Sequence, residues 1–247
     1  MNNYINEIAK IEKKERFDAI TNQLKMNGIG YIVQSIPGYK KFGNIIVQSK
    51  HNEGQKIVAS AHYDNFPGTP GANDNASACS ILLNLIFDYK NSDKNIEFVF
   101  FDLEEQSCVG SNYYMSLNHG QISYAINLEM CGIGKNILFS CYNLIDEKIK
   151  KLNDLVFKKY NAKKVNKLPP GDAYTFINSN VPTFYIVNST NRDLTWYEQY
   201  SNDIRPNVIP DFSLSMHQPN DTVDKINIDQ VKKIYSFVFD LLRSITL

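Results

Sequence analysis

The segment Asn95-Ile-Glu-Phe-Val-Phe-Phe-Asp102 constrains the fold of this 247-residue chain more than any other feature. It is apolar at nearly every position, whereas a strand with one solvated face alternates between apolar and polar residues. A run of this kind is typical of a strand that is covered on both faces. The segment therefore predicts the central part of a sheet that lies between helices.

The patterns around this strand alternate between helix and strand. Apolar residues at three- and four-residue steps predict one amphipathic helix from Asn3 to about Met26, which ends near Asn27-Gly28. The polar stretch Lys50–Gln55 resembles a hairpin turn between two strands. The alternation indicates an α/β fold. Further helices are predicted at 77–89, 146–160 and 228–245, and further strands at 31–35, 44–49, 56–62, 124–128, 137–141 and 183–187.

The chain shows no internal repeat and no linker long enough to separate two domains, so we expect one domain over residues 1–247 with an N-terminal helix in 1–27. Residues 188–216 are predicted to be an irregular loop near the active site, because the stretch is rich in Pro, Asn and aromatic residues. Within it, Trp196 and Tyr197 would either wall a substrate pocket or pack beneath the loop.

Charge and hydropathy exclude several classes of partner. The 26 basic and 26 acidic residues give a formal net charge of zero. Basic residues concentrate only in Glu12-Lys-Lys-Glu-Arg16, where alternating charges are typical of a solvated helix face. Nucleic acid is therefore not an expected partner. No apolar run approaches the roughly 18 residues of a membrane span, so no membrane association is expected.

The N-terminus and the cysteines bear on location. Residues 1–10 lack the basic start and apolar stretch of a secretory signal. The four cysteines lie far apart without a C-x-x-C pair, which argues against a disulfide framework or a thiolate zinc site. We therefore expect a cytoplasmic protein with reduced thiols.

Titratable side chains follow the ends of the predicted core elements. Glu104 and Glu105 come directly after the central strand, where two adjacent acids repel each other and lose hydration unless a cation neutralises them. Taken alone, His62 could simply be hydrogen-bonded and Asp74 could be a helix N-cap. Together, imidazole and carboxylate groups suit a two-metal zinc site. The set is His62, Asp64, Asp74, Glu104, Glu105, Glu129, His217 and Asp221.

Five segments that carry these residues resemble, in the same order, the co-catalytic di-zinc aminopeptidases of metallopeptidase family 28, which also includes glutaminyl cyclases and some carboxypeptidases. The resemblance runs from about Tyr31 to the C-terminus. It implies a zinc-exopeptidase (phosphorylase/hydrolase-like) architecture with a mixed central β-sheet flanked by helices. The segments are Ala61-His-Tyr-Asp64, Pro70-Gly-Ala-Asn-Asp-Asn-Ala-Ser77, Phe101-Asp-Leu-Glu-Glu-Gln-Ser-Cys-Val-Gly-Ser111, Ile126-Asn-Leu-Glu-Met130 and His217-Gln-Pro-Asn-Asp-Thr222.

The resemblance implies two zinc ions per chain and a ligand set for each of them. Asp74 would bridge the ions. His62 and Glu129 would complete one site, and Glu105 and His217 would complete the other. The chain departs from the family at Glu129, because many relatives have the shorter Asp at that position. The longer side chain can still bind a metal ion.

The resemblance also implies roles for residues around the ligands. Glu104 would be the general base, which takes a proton from the attacking water and returns it to the leaving amine. Asp64 would assist catalysis by orienting His62, and Asp221 would orient His217. Gly171-Asp-Ala-Tyr174 stands where relatives often have Ser-Asp-His. Asp172 would therefore remain beside the ligands, and Tyr174 becomes a candidate for substrate contact.

The expected function is hydrolysis of the N-terminal peptide bond of peptides with a free N-terminus. Three alternatives stay open: a one-zinc glutaminyl cyclase-like acyl transferase, a carboxypeptidase or dipeptidase, and a non-catalytic binding module. The second would need a cation for the terminal carboxylate, such as Arg192 or Arg205. The second metal site that His62, Asp64 and Glu129 would form is not required by a one-zinc enzyme. A binding module would usually have lost ligands that are present here.

Overall fold

One sheet of eight strands organises the protein. The computed structural model describes residues 3–51 and 53–245, so predictions for positions 1, 2, 52, 246 and 247 lie outside the described residues. Along the sheet the strands follow the order β1-β2-β4-β3-β5-β8-β6-β7. Their bounds are β1 (Ile32–Gln34), β2 (Asn44–Gln48), β3 (Lys56–His62), β4 (Ile96–Phe101), β5 (Ile122–Glu129), β6 (Asn136–Tyr142), β7 (Lys163–Lys164) and β8 (Thr183–Ser189).

The four inner strands β4, β3, β5 and β8 run parallel to one another. Outside them β1 pairs with β2, β2 with β4, and β6 with β8 in antiparallel fashion, so the sheet is mixed. The parallel strands end at one edge of the sheet. β4 and β5 lie on opposite sides of β3, and in open α/β sheets ligands bind beyond the carboxyl ends at such a reversal.

The predicted central strand is confirmed. Every residue of β4 and of its neighbour β3 is buried. The one charged residue of β4, Glu97, pairs with Lys56 at an Nζ–Oε1 distance of 2.9 Å, and Asn118 accepts a further bond from the same ammonium at 2.7 Å. The buried charges are therefore compensated at the end of the strands that lies away from the carboxyl edge.

Helices cover both faces of the sheet. Ile57, Ala59 and Ala61 of β3 face a core that includes α1, α3 and α9, whereas Val58 faces α4 and α7. The bounds are α1 (Ile5–Ile8), α2 (Lys13–Met26), α3 (Ser77–Tyr89), α4 (Val109–Asn118), α5 (Asp146–Leu152), α6 (Lys158–Tyr160), α7 (Ala173–Asn178), α8 (Asn191–Ser201) and α9 (Ile228–Ile245). The chain is thus a single α/β domain, as predicted. No helix among the described residues is both long and apolar enough to cross a bilayer.

Two predictions about the N-terminal third were wrong. The helix expected from Asn3 to Met26 is divided into two helices, because the chain leaves the helical conformation at Ala9. Ile11, which was expected on the apolar face of one continuous helix, is 55% exposed. The expected hairpin at Lys50–Gln55 does not form either. β4 pairs with β2 on one side and β3 on the other, and it therefore separates the two strands that the turn was expected to join.

The segment 188–216 was also predicted wrongly as an irregular loop, since α8 occupies most of its first half. Thr190 Oγ1 accepts the Asp193 N–H at 3.2 Å, and Asp193 Oδ2 accepts the Thr190 N–H at 3.0 Å. This reciprocal capping satisfies backbone donors at the start of the helix. The Thr-x-x-Asp spacing was visible in the sequence and could have revealed the helix.

Candidate metal centre

Five of the predicted ligands converge at the carboxyl edge of the sheet. His62 ends β3, Glu129 ends β5 and Glu105 follows β4. Asp74 lies in the turn before α3, where its backbone is not helical, and His217 lies in the loop that leads to α9. The donor atoms form two groups, and within each group they lie within 4.8 Å of one another. The groups are His62, Asp74 and Glu129, and Asp74, Glu105 and His217.

Asp74 belongs to both groups, one oxygen to each. Its Oδ1 lies 3.2 Å from His62 Nε2, and its Oδ2 lies 3.6 Å from His217 Nε2. His62 Nε2 is 3.3 Å from Glu129 Oε1, and His217 Nε2 is 3.0 Å from Glu105 Oε2. Atoms that bind zinc tetrahedrally at about 2.0–2.2 Å lie about 3.3–3.6 Å apart. The spacing and the nitrogen and oxygen donors therefore fit two ions that share Asp74.

An unpaired oxygen in the group of Asp74, Glu105 and His217 is further evidence for a bound cation. Glu105 Oε1 is buried and has no hydrogen-bond partner among the described side chains and backbone. Leaving such an oxygen unpaired costs about 1–3 kcal/mol, more if it is charged. A metal ion bound by Glu105 would remove this penalty, which supports the same assignment.

Burial dominates the electrostatics of the cluster. It raises the pKa of Glu104 to about 9 and the pKa of Glu105 to about 8, and neighbouring carboxylates add to the effect. Burial alone would lower the pKa of His62, but Glu129 and two aspartates raise it well above its ordinary value. Burial would raise the pKa of Asp74, yet its hydrogen bond with His62 keeps that pKa low. Mutually repelling buried acids of this kind favour a bound cation.

Asp64 connects the two groups. Its Oδ1 lies 3.4 Å from His62 Nδ1, which is the contact expected from the sequence. A proton on Nδ1 leaves the lone pair of Nε2 directed at the other donors of its group. The carboxylate also accepts the N–H groups of Glu104 and Glu105, at 3.1 and 3.3 Å. Asp64 thus fixes both the imidazole and the turn that follows β4.

A cavity of about 440 Å³ opens from the metal centre. Glu104 lines it but belongs to neither donor group, the position expected of a base. Trp196 and Tyr197 also line it, whereas Tyr174 does not. The remaining lining is mostly apolar, and no Lys or Arg within residues 3–51 and 53–245 contributes to it. It comprises Met130, Pro169, Pro170, Tyr185, Val187, Phe212 and Met216.

This chain is similar in sequence to known peptidases. The model of peptidase family M28 matches residues 44–242, a range that contains both donor groups. The chain belongs to peptidase family M28. Aminopeptidase YwaD of Bacillus subtilis is 36% identical over 133 residues, which are 49% of this chain and 28% of YwaD. Aminopeptidase Y of Saccharomyces cerevisiae is 34% identical over 88 residues, or 34% of this chain and 16% of that protein. The matched segments therefore cover well under half the length of these relatives.

Two solved structures show the same fold as this M28 domain. The LapA aminopeptidase of Legionella pneumophila superposes with a TM-score of 0.76 at 13% identity, over 98% of this chain and 70% of that one. The glutaminyl cyclase of Porphyromonas gingivalis gives 0.70 at 17% identity, over 98% and 94% of the two chains. The fold is thus common to both activities, and the choice between them depends on the site.

Two of the candidate residues in this M28 domain make contacts that were not predicted from the sequence. Tyr174 is not among the residues that line the cavity, and its hydroxyl donates to the Leu168 carbonyl at 2.9 Å. Asp221 does not contact His217. Its two oxygens instead accept the N–H groups of Asn73 and Asp74, at 2.8 and 3.0 Å. Asp221 therefore holds the turn that carries the shared ligand.

Phe66 was not predicted from the sequence, although it contacts His217 directly. The two rings stack with their centroids 4.6 Å apart and their planes 12° from parallel. Asp172 is fully buried, and Ser111 Oγ donates to its Oδ1 at 2.5 Å. Burial raises the pKa of Asp172 to about 7. No sequence pattern predicts the contact of Phe66 with His217, because the contact depends on the conformation of the loop that contains Phe66.

We expect Asp221→Asn to weaken zinc binding about 10- to 100-fold, as is typical when a group that orients a ligand is changed. The amide can accept only one of the two N–H bonds, so the turn that carries Asp74 loses a constraint. Asp224→Asn is the matched control, because Asp224 lies three residues later and no metal-group atom contacts it. Competition with a chromogenic chelator measures both affinities. Equal affinities in the two variants would contradict the role given to Asp221.

Proposed function

We propose that this M28 domain is a two-zinc aminopeptidase that removes the N-terminal residue of peptides. The observation that carries the proposal is the pair of donor groups that share Asp74, with the carboxylate of Glu104 beside them and outside both. Membership of the family and the named aminopeptidase relatives support the same activity. A cytoplasmic location stays a prediction.

The chain's own residues supply the binding and the proton transfer. Zinc, when bound, would lower the pKa of a coordinated water and polarise the scissile carbonyl. Glu104 accepts the proton of the attacking water on its carboxylate and then donates it to the leaving amine. Asp64 keeps Glu104 in place through its main-chain N–H. The residues that would hold the two ions are His62, Asp74, Glu129, Glu105 and His217.

The cavity lining favours an apolar first side chain on the substrate. Trp196, Tyr197 and Phe212 contribute aromatic surface to it, and burial of apolar area favours binding by about 25 cal/mol per Å². Among the described residues, no Lys or Arg lines the cavity to pair with a terminal carboxylate, which disfavours a carboxypeptidase. Arg192 is instead 3.3 Å from Asp211 and largely exposed, and Arg205 does not line the cavity.

A panel of short peptides tests the proposal. We expect cleavage of peptides with a free N-terminus and an apolar first residue, and no cleavage of the same peptides after N-acetylation. A zinc chelator should abolish the activity, and added zinc should restore it. Amidation of the C-terminus should have no effect, because no Lys or Arg of the described chain lines the cavity.

The other outcomes identify the alternatives. Cleavage of acetylated peptides would contradict an aminopeptidase and indicate a carboxypeptidase or endopeptidase. Conversion of an N-terminal glutaminyl peptide to its cyclic product without hydrolysis would indicate the glutaminyl cyclase-like transferase. No reaction in the presence of bound zinc would leave the non-catalytic binding module as the better description.

A further inference from the structure

The helix α2 approaches the metal centre from outside the residues matched by the family model, which begin at 44. Its basic stretch was interpreted from the sequence as a solvated face, and for two of its residues that interpretation was wrong. Arg16 is fully buried, and Lys13 reaches a carboxylate that is 1% exposed. Lys14, between them, is exposed and pairs only along the helix with Asp18.

Arg16 ties together two segments that carry metal-binding candidates. Its Nε donates to the Tyr63 carbonyl, directly after His62. Its Nη1 donates to the carbonyls of Pro70 and Gly71, at 2.7 and 3.3 Å, directly before the turn that holds Asp74. A planar guanidinium with several fixed donors can bridge these carbonyls, whereas an ammonium is a compact point charge and cannot reproduce the fork.

The backbone at Gly71 is shaped to this contact. Gly71 has φ +58, and a Cβ there would lie 2.4 Å from the Asp74 carbonyl oxygen and 3.0 Å from Arg16 Nη1. Any side chain would therefore collide with the turn or displace the guanidinium. The close approach indicates that the loop is built against Arg16.

Lys13 holds the segment that carries Glu104. Its Nζ lies 2.9 Å from Asp102 Oδ1, and the same oxygen accepts the Leu103 N–H at 2.9 Å. The Asp102 N–H in turn donates to Asn44 Oδ1 at 3.0 Å. Lys13 and Arg16 are three residues apart and thus on one side of α2, so a single helix contacts both segments.

The turn before α2 adds a third contact. The Ile11 carbonyl accepts a bond from Asn65 Nδ2 at 3.1 Å, and the same amide bonds to the Thr69 carbonyl at 2.6 Å. Asn65 and Thr69 belong to the loop 63–71, which also contains Phe66, the residue whose ring stacks on His217. The N-terminal helices therefore contact a loop that adjoins ligands of both donor groups.

We propose that Arg16 and Lys13 are positioning residues: Arg16 holds the loop 63–71 and the Asp74 turn in the geometry that binds metal, and Lys13 holds the Glu104 turn in the geometry that serves proton transfer. The proposal rests on the proposed function only in that the two donor groups bind zinc. Its structural part, the restraint of residues 63–74 by α2, is independent of zinc.

The test compares Arg16→Lys and Lys13→Met with Lys14→Met in the full chain. Amide hydrogen exchange of residues 63–74 is measured before zinc is added. The zinc dissociation constants are measured by chelator competition, and kcat and KM are measured on the best free-amine peptide. Lys14→Met is the matched control, because it removes a charge from the same helix without touching the loop.

Arg16→Lys should raise the zinc dissociation constant about 10-fold or more. It should also speed exchange in residues 63–74 while β4 and α9 stay protected. Lys13→Met should lower kcat about 10-fold, the lower end of effects on ligand-orienting groups, with KM and zinc affinity within about two-fold of the unchanged chain. Lys14→Met should change none of these quantities.

Other results would overturn the positioning roles. If Arg16→Lys and Lys13→Met gave the same results as Lys14→Met, α2 would have no influence on the site. If Arg16→Lys instead unfolded, or lost protection from hydrogen exchange throughout the sheet, a purely structural role of Arg16 would explain the result. Failure of the unchanged chain to bind zinc would refute the proposed function, whereas the exchange of residues 63–74 would still decide whether α2 restrains the loop.

Discussion

Replacing Glu104 by glutamine is expected to lower kcat about 10²- to 10⁴-fold, the range of general acid–base catalysis. Glutamine keeps the size of the side chain but cannot accept the proton of the attacking water. The zinc dissociation constants should stay within about two-fold, well below the 10- to 100-fold effect of disturbing a ligand. Glu104 belongs to neither donor group, and the main-chain N–H that Asp64 accepts is unchanged by the substitution. Steady-state kinetics and chelator competition on the same preparation measure both effects.

The adjacent acid provides the control. Glu105→Gln changes the same functional group one residue later, but Glu105 Oε2 lies 3.0 Å from His217 Nε2 within a donor group. This variant should lose zinc affinity together with activity. A Glu104→Gln protein that kept full zinc-dependent hydrolysis would refute the role of the base. One that lost zinc would make Glu104 a ligand instead.

The convergence of the ligands could be predicted from the sequence because it depends on a simple property of parallel strands. His62, Glu105 and Glu129 each stand at or just after the end of an apolar segment. Parallel strands end at the same edge of a sheet, so their terminal side chains meet once the strands are neighbours. The strand patterns were enough for this inference, although the order of the strands was not known.

The order of the strands and the break after α1 could not be read from local patterns. The insertion of β4 between β2 and β3 depends on pairings across about fifty residues, such as Ile45 with Phe100. A polar turn between two strand patterns looks the same whether the strands pair or are separated. The hairpin was therefore predicted for a local reason that the long-range pairing overrides.

The supporting contacts escaped prediction because a side chain's burial depends on what packs against it. Arg16 lies in a stretch with the charge pattern of a solvated helix face, yet it is fully buried and donates to carbonyls of the loop 63–71. Asp221 was assigned to the nearest imidazole along the chain, but the turn before α3 lies closer in space. Backbone strain was equally invisible: Leu103, Met130 and His217 adopt positive φ values of 61, 44 and 59°. Such conformations cost about 1–3 kcal/mol each and cluster at functional sites.

Replacing Asp74 by asparagine is expected to weaken both of the proposed zinc sites at once. The two carboxylate oxygens face different imidazoles, at 3.2 and 3.6 Å, so one substitution changes both donor groups. The amide nitrogen of asparagine cannot bind a cation, and the substitution also removes a negative charge. The loss should exceed about 100-fold in affinity, because residues that merely orient ligands already account for 10- to 100-fold. Zinc analysis after gel filtration measures the number of ions that remain.

Glu129→Gln is the variant that separates two ions from one. Glu129 belongs only to the group with His62, so its loss should leave one zinc per chain in the group of Asp74, Glu105 and His217. If hydrolysis falls together with the second ion, both ions serve the reaction, and Asp74 is the residue that couples them. If the unchanged chain binds a single zinc and Glu129→Gln alters neither zinc content nor activity, the two-zinc proposal is wrong. The one-zinc mode of the glutaminyl cyclase-like alternative then describes the chain better.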